Sequence, residues 1–274
     1  MLLFGDTVYA TKRKEAQKMI ANYHTHTFRC RHAIGTEREY IETAIARGLT
    51  TLGFADHAPQ LFPDNYYSTY RMYPEEIENY VSTLLSLRDE YRNDIEILIG
   101  LETEYFPELF EKLLEHLKPY PIDYMILGQH YIDNEYDTHV YAGMLRGEAD
   151  YLKRYVNNVC DGIRTGKFSY IAHPDLFRFV GDDGIYESEY RRLCECAKSL
   201  DIPLEINFLG LSENRHYPSD KFMRIAAEVG NSFIFGCDAH EPDAVKNPRD
   251  YQIALDFAEK YGITPIERLN LKKI

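Results

Sequence analysis

This chain lacks an excess of positive charge. Its 274 residues include 31 basic and 44 acidic side chains, a formal net charge of −13. That balance argues against a nucleic-acid partner, because such binders usually present a basic face. It does not argue against a small phosphorylated substrate, since bound metal cations reverse the sign of a site locally. The N-terminus has no long apolar run and meets charge by Lys12, so neither a signal peptide nor a membrane span is expected. Cys30, Cys160, Cys194, Cys196 and Cys237 are odd in number and lack C-x-x-C spacing. Reduced thiols in a cytoplasmic protein are the plain expectation. No G-x-G-x-x-G or Walker loop follows any strand-like segment, so a nucleotide-binding fold lacks its signature.

What is present is a steady alternation of strand and helix patterns. With 45% hydrophobic residues the chain can bury a large core, and α/β barrels commonly run to about 250 residues. Residues 1–20 fall outside the pattern, with a short strand expected at 7–10 and a helix at 12–20; they are read as an extension of unknown role. From there residues 21–274 read as one domain. Strands are expected at 21–26, 51–55, 96–102, 124–127, 169–172, 203–207 and 232–236. Helices are expected from Thr36 to Arg47, from Pro74 through Leu87, and over 107–117, 148–163, 186–200, 219–229 and 244–261. Thr36 with Glu39 forms a capping box, and Tyr40, Ala44 and Ile45 supply the buried stripe of the first helix. Such alternation implies a parallel sheet covered by helices, either doubly wound or closed. Without a nucleotide signature, a barrel of seven units fits better.

Residues of ligand type gather where those strands end. His24 and His26 stand two apart, so on a strand both imidazoles leave one face. His32 lies in the loop beyond. His57 ends the second strand, Glu102 the third, His130 the fourth, His173 the fifth, and Asp238 with His240 the seventh. In a βα barrel these ends form one rim, where functional side chains sit. Many imidazoles crowded without metal would be costly through desolvation and mutual charge, so the rim is read as a metal site. His116 on a helix and His139 in a polar loop are read as surface residues. His216 lies in a loop on the same face and is open to substrate contact.

The segments His24-Thr25-His26, Ala55-Asp56-His57-Ala58-Pro59, Gly100-Leu101-Glu102, Gly128-Gln129-His130, Ala172-His173-Pro174-Asp175 and Cys237-Asp238-Ala239-His240 resemble the polymerase-and-histidinol-phosphatase (PHP) superfamily. The run through Cys30-Arg31-His32-Ala33 and Gly35-Thr36 resembles its histidinol-phosphatase branch. The resemblance covers about residues 21–265. It implies a distorted (β/α)7 TIM-like barrel with three divalent metal ions, zinc, manganese or iron, at the C-terminal ends of the strands. By that resemblance His24, His26, Glu102 and Asp238 hold the first metal. Glu102, His130 and His173 hold the second, with Glu102 bridging, and His32, His57 and His240 hold the third. Gln129 and Cys237 stand where the family often has a small hydroxyl residue, and Cys237 would make the site sensitive to oxidation.

The implied activity is phosphomonoester hydrolysis, with L-histidinol phosphate of histidine biosynthesis as substrate. Two metals sharing Glu102 would lower the pKa of a bridging water and present hydroxide to phosphorus. Glu102, Asp238 and His240 are the residues expected to carry catalysis. Arg178 and Arg215, in loops after strand ends, resemble phosphate clamps of the branch, suited by their planar fork. Asp133, Asp175 or a metal-bound water would protonate the leaving group. The loop 58–73 carries Phe62, Tyr66, Tyr67, Tyr70 and Tyr73, either as a lid over the rim or as rings packed on the barrel. Two other readings remain. One is a PHP phosphoesterase acting on another small monoester or a phosphotyrosine peptide. The other is a non-catalytic, metal-stabilised module, which the complete set of nine ligands and the lack of a fused polymerase argue against.

Overall fold

A computed structural model describes residues 18–64, 66–136 and 140–274. Seven parallel strands stand in chain order: β1 (Ala21–Asn22), β2 (Thr51–His57), β3 (Glu96–Thr103), β4 (Tyr124–Leu127), β5 (Phe168–Ile171), β6 (Leu204–Asn207) and β7 (Phe233–Gly236). Between and after them run α1 (Glu37–Ala46), α2 (Ile77–Glu90), α3 (Pro107–Leu117), α4 (Ala149–Arg164), α5 (Asp183–Ser199), α6 (Phe208–Ser212), α7 (Asp220–Val229) and α8 (Pro248–Lys260). The strand expected at 7–10 and most of the helix expected at 12–20 lie outside the described residues, and residues 18–20 take no regular structure.

Local sequence explains most boundaries. The Thr36 side chain accepts from Glu39 N while the Glu39 carboxylate accepts from Thr36 N, the capping box that starts α1. Tyr40, Ile41 and Ala44 are its buried stripe, and Ile45 is only half-buried. The last helix starts later than expected. Pro242–Ala244 forms a 3-10 turn, and α8 begins where the Asn247 side chain caps it and Pro248 takes the first helical position. The short α6 follows β6 directly, capped by Asn207.

The first strand differs most from its expectation of 21–26. Only Ala21 and Asn22 pair in register with β2. Beyond them the Asn22 side chain donates to the His24 carbonyl at 3.2 Å and to Thr25 Oγ1 at 2.7 Å. Thr25 then bridges to Ala239, with His26 N donating to Ala239 O at 2.9 Å and Ala239 N to His24 O at 3.2 Å. This bridge joins the first strand to the segment after β7 and nearly closes the barrel. It does so at the end where the histidines lie.

Apolar packing divides into an outer shell and a barrel interior. The shell lies between helices and sheet, with Tyr40, Leu84, Leu113, Val159, Leu193 and Phe222 among its buried members. The interior holds Tyr23, Tyr124, Ile126, Tyr170 and Ile234. Tyr124 crosses it, its hydroxyl donating to the Tyr23 carbonyl at 2.8 Å. Gly53 and Gly100 make room, since a Cβ on Gly100 would come within 2.3 Å of the Tyr124 ring. The tail after α8 has a role that periodicity did not reveal. Ile266 N donates to Phe233 O at 2.7 Å, Leu269 N to Tyr23 Oη at 3.2 Å and Lys272 N to Ser169 Oγ at 3.0 Å. Ile266, Leu269 and Leu271 thereby pack against the interior cluster and plug the face opposite the histidines.

The tight Tyr124 packing makes a prediction. Gly100→Ala should overpack the interior and lower stability by about 1–3 kcal/mol, read as a shift in the urea midpoint with unchanged slope. An unaltered midpoint would mean that the ring yields freely.

Candidate metal centre

Parallel register brings the first partners together. His57 pairs with Glu102 across β2 and β3, so both side chains emerge at one level of the rim. The Thr25–Ala239 bridge does the same for the two dipeptide-spaced pairs, His24 with His26 and Asp238 with His240. Glu102 lies at the centre and is 1% exposed. Its carboxylate is 2.8 Å from His173 Nε2, 2.9 Å from His57 Nδ1, and 3.6 Å from the Nε2 atoms of His24, His26 and His130. Gly128 leaves the space, because a Cβ there would stand 1.9 Å from Glu102 Oε1. Asp238 Oδ1 lies 3.2 Å from His26 Nε2 and 3.5 Å from His24 Nε2. His32 Nε2 and His240 Nε2 face each other at 3.0 Å.

Several rings are held from behind by their other nitrogen. His24 Nδ1 is 2.7 Å from Glu205 Oε1 and His130 Nδ1 is 3.4 Å from Glu104 Oε1, whereas Asp56 Oδ1, 3.7 Å from His26 Nδ1, is beyond hydrogen-bond reach. His32 Nδ1 donates to Cys30 O at 2.8 Å and His240 Nδ1 to Asp238 O at 3.0 Å. An imidazole anchored on one nitrogen presents the other with a fixed direction, the usual arrangement of a metal ligand. Two rim residues are also held with left-handed backbone, His173 at φ 28° and Asp238 at φ 49°, a conformation that costs about 1–3 kcal/mol at a non-glycine residue. Glu205 Oε2 accepts the His173 N–H at 2.9 Å and so supports one of them.

The donors fit divalent cations. His24 Nε2, both His26 nitrogens, Glu102 Oε2 and His173 Nδ1 are buried and without a hydrogen-bond partner, a condition that is expensive unless something else satisfies them. Ligand atoms of His24, His26 and Asp238 lie within 4.8 Å of one another, as do those of His24, Glu102 and His173 and those of His26, His57 and His240. Nitrogen and carboxylate donors in such groups suit zinc, iron or manganese. The electrostatics agree. Burial opposes charge on His26, but Asp238, Asp56 and Glu102 outweigh it and raise its pKa to about 9. Burial, aided by neighbouring imidazoles, drives His240 down to about 3. Glu102, despite its burial, is held well below the usual carboxylate range by His130, His57 and His24.

Around this rim lies a cavity of about 720 Å³, lined by His32, His57, His130, His173, Asp238 and His240 together with Tyr66, Tyr70, Arg71, Tyr131, Tyr141, Arg215 and Tyr217. All nine ligand-type residues expected from the sequence thus converge. The two arginines do not behave alike. Arg215 lines the cavity, donating to the Tyr217 hydroxyl at 2.9 Å and to Glu213 Oε2 at 2.8 Å. Arg178 is exposed and is not among the lining residues; its backbone pairs with Ala142 and Arg146. Neither proposed proton donor reaches the cavity. Asp133 is paired with Arg154. Asp175 is buried behind the rim, its carboxylate accepting from Ser219 N at 2.7 Å, and burial raises its pKa to about 7.

Other expectations are also sorted by geometry. His216 bonds the Leu176 carbonyl at 2.7 Å and does not line the cavity. His116 is half-buried and its Nε2 lies 3.3 Å from Pro74 O, so it is not a free surface residue. His139 lies outside the described residues. Cys237 is 2% exposed and burial pushes its thiol up to about 12, so it lacks the thiolate that oxidation requires. The loop 58–73 divides between the two readings given to it. Tyr66 and Tyr70 face the cavity. Phe62 packs near Phe106 and Tyr136, and Tyr67 against Tyr73 at 4.9 Å. Sequence reasoning missed Glu205, Glu104 and Arg71. For Glu205 a signal existed: a carboxylate amid Leu204 and Ile206 interrupts the apolar run expected of a strand buried on both faces.

Comparison with known proteins adds the following. The PHP domain is matched over residues 22–208. A probable histidinol-phosphatase of Deinococcus radiodurans is 31% identical over 255 residues, covering 84% of this chain and 93% of its own. The histidinol phosphate phosphatase of Lactococcus lactis, crystallised with zinc, L-histidinol and phosphate, superposes with a TM-score of 0.67 at 19% identity, covering 90% of this chain and 95% of that one. The hisK protein of Listeria monocytogenes gives 0.68 at 20% identity, covering 84% and 99%.

Two outcomes follow from the geometry. Because His26 is protonated up to about pH 9 without metal, loading must displace protons. Zinc affinity should therefore rise with pH toward 9, with proton release visible by calorimetry in buffers of different ionisation enthalpy; buffer-independent heats would contradict it. Glu102→Gln should reduce bound metal, measured by elemental analysis, more than any single His→Ala change, since Glu102 alone faces five imidazoles.

Proposed function

Since the chain belongs to the PHP domain family, we propose that it is a metal-dependent phosphatase that hydrolyses L-histidinol phosphate to L-histidinol and phosphate. The observation that carries this reading is the convergence of eight ligand-type side chains around Glu102, at a cavity also lined by tyrosines. His24, His26, Glu102 and Asp238 would hold one ion, Glu102, His130 and His173 a second, and His32, His57 and His240 a third. When bound, divalent cations at such a rim supply Lewis acidity that activates water and neutralises phosphoryl charge.

The chain's own residues account for the rest. A phosphate monoester is a dianion, and Arg215 offers a planar, permanently charged fork beside the rim. Tyr217 and Glu213 hold that guanidinium in place. Tyr66, Tyr70, Tyr131 and Tyr141 offer aromatic faces to the substrate's imidazole. Glu102 and Asp238, both held ionised by surrounding histidines, keep the metal-facing oxygens free of protons through the neutral range. His240, neutral above about pH 3, offers a free nitrogen as soon as a cation arrives.

Phosphate release from the metal-loaded protein tests the substrate. The kcat/KM for histidinol phosphate should exceed that for glycerol phosphate by about a hundredfold, or roughly 3 kcal/mol of differential transition-state binding. Comparable values would move the protein to a general small-phosphomonoester or phosphotyrosine role, and no turnover of any phosphomonoester would leave a non-catalytic metal-stabilised module. Arg215→Lys should lower kcat/KM although the charge is kept, because the fork geometry is lost. Wild-type kinetics in that variant would remove Arg215 from the site.

A further inference from the structure

Beside the rim, a cluster of buried charges ties two loops to one imidazole. Arg71, near the end of the loop 58–73, is 3% exposed. Its guanidinium contacts Glu104 twice, Nη1 to Oε2 at 2.6 Å and Nη2 to Oε1 at 3.1 Å. Its other edge donates to Glu135 Oε2, from Nε at 2.8 Å and from Nη2. Glu104 follows Glu102 by two residues at the end of β3, and its Oε1 lies 3.4 Å from His130 Nδ1. Glu135, in the loop after β4, also accepts the Tyr66 hydroxyl at 3.1 Å. Glu104 is 1% exposed and Glu135 0%.

Stability alone is a poor reason for such a cluster. Taking three charges out of water is costly, and well-packed apolar residues commonly do as well or better. What the cluster provides is direction. A carboxylate at Nδ1 places the imidazole proton there and leaves Nε2 free to face Glu102 and a cation. The fork of one arginine fixes two carboxylates at once, which a lysine cannot do.

We propose that Arg71 is a positioning residue that couples the tyrosine-bearing loop to the metal rim, setting His130 through Glu104 and Tyr66 through Glu135. The two arms serve different ends: one concerns metal retention, the other the shape of the cavity wall. The inference rests on the reading of His130 as a metal ligand.

Zinc retention against a competing chelator and hydrogen exchange across the loop 58–73 separate the arms in the full chain. Glu104→Gln is expected to weaken zinc retention by about 10- to 100-fold, with Arg71 still held by Glu135. Glu135→Gln is expected to speed exchange in the loop and raise KM for histidinol phosphate, while zinc retention stays at the wild-type level. Arg71→Lys should show both effects together; if it fails to fold, the two carboxylate variants carry the test. Wild-type zinc retention in Glu104→Gln overturns the inference. Equal loss of zinc in both carboxylate variants also overturns it, since a plain structural support would give that result. If the wild-type protein itself retains no zinc, the reading of the rim fails, and this inference with it.

Discussion

The site depends on one buried carboxylate. Glu102 is surrounded by His24, His26, His57, His130 and His173 within 3.6 Å and is only 1% exposed. An isolated ion there would be untenable, so the surroundings must supply positive charge, either as protons on imidazole or as bound cations. Protonating all five rings would crowd like charges. Cations resolve the conflict because they satisfy the carboxylate and the nitrogens together. The unpartnered buried atoms at this rim are the structural trace of that requirement.

A second layer of carboxylates makes the rim specific in direction. Glu205, Asp56 and Glu104 stand behind His24, His26 and His130 respectively. Each is buried; Glu205 and Glu104 hold their imidazoles facing inward, and Asp56 places a negative charge beside His26. The acidic excess in composition is thus partly concentrated where it orients ligands. Glu102 and Asp238 also line the cavity, so a phosphate dianion approaches favourably only once cations offset them. Arg215 adds a fixed positive group to the cavity lining.

The loops bring what the barrel cannot. Strand ends present short, aligned side chains, whereas the tyrosine wall comes from segments after β2 and β4 and from the region after α6. The Arg71 cluster is a buried tie between the first two of these segments. The tail after α8 plays the corresponding part at the opposite face, where Ile266 and Leu269 shield the seam between the first and last strands.

Much of this was legible in the sequence. The alternation of patterns determined seven strand–helix units, and a barrel places every strand end on one face, so nine ligand-type residues could be assigned to a common rim without knowing any distance. The physical reason is that strand periodicity and strand termini are local properties. The rest was decided by tertiary structure. That Thr25 pairs with Ala239, and so brings His24 and His26 to Asp238 and His240, is a matter of closure between segments more than 200 residues apart. That Arg215 lines the cavity while Arg178 is exposed is decided in loops, which leave no periodic signal. The carboxylates behind the histidines are isolated charges in apolar strands, or lone residues in loops, and only the packing of neighbouring strands gives each one its imidazole.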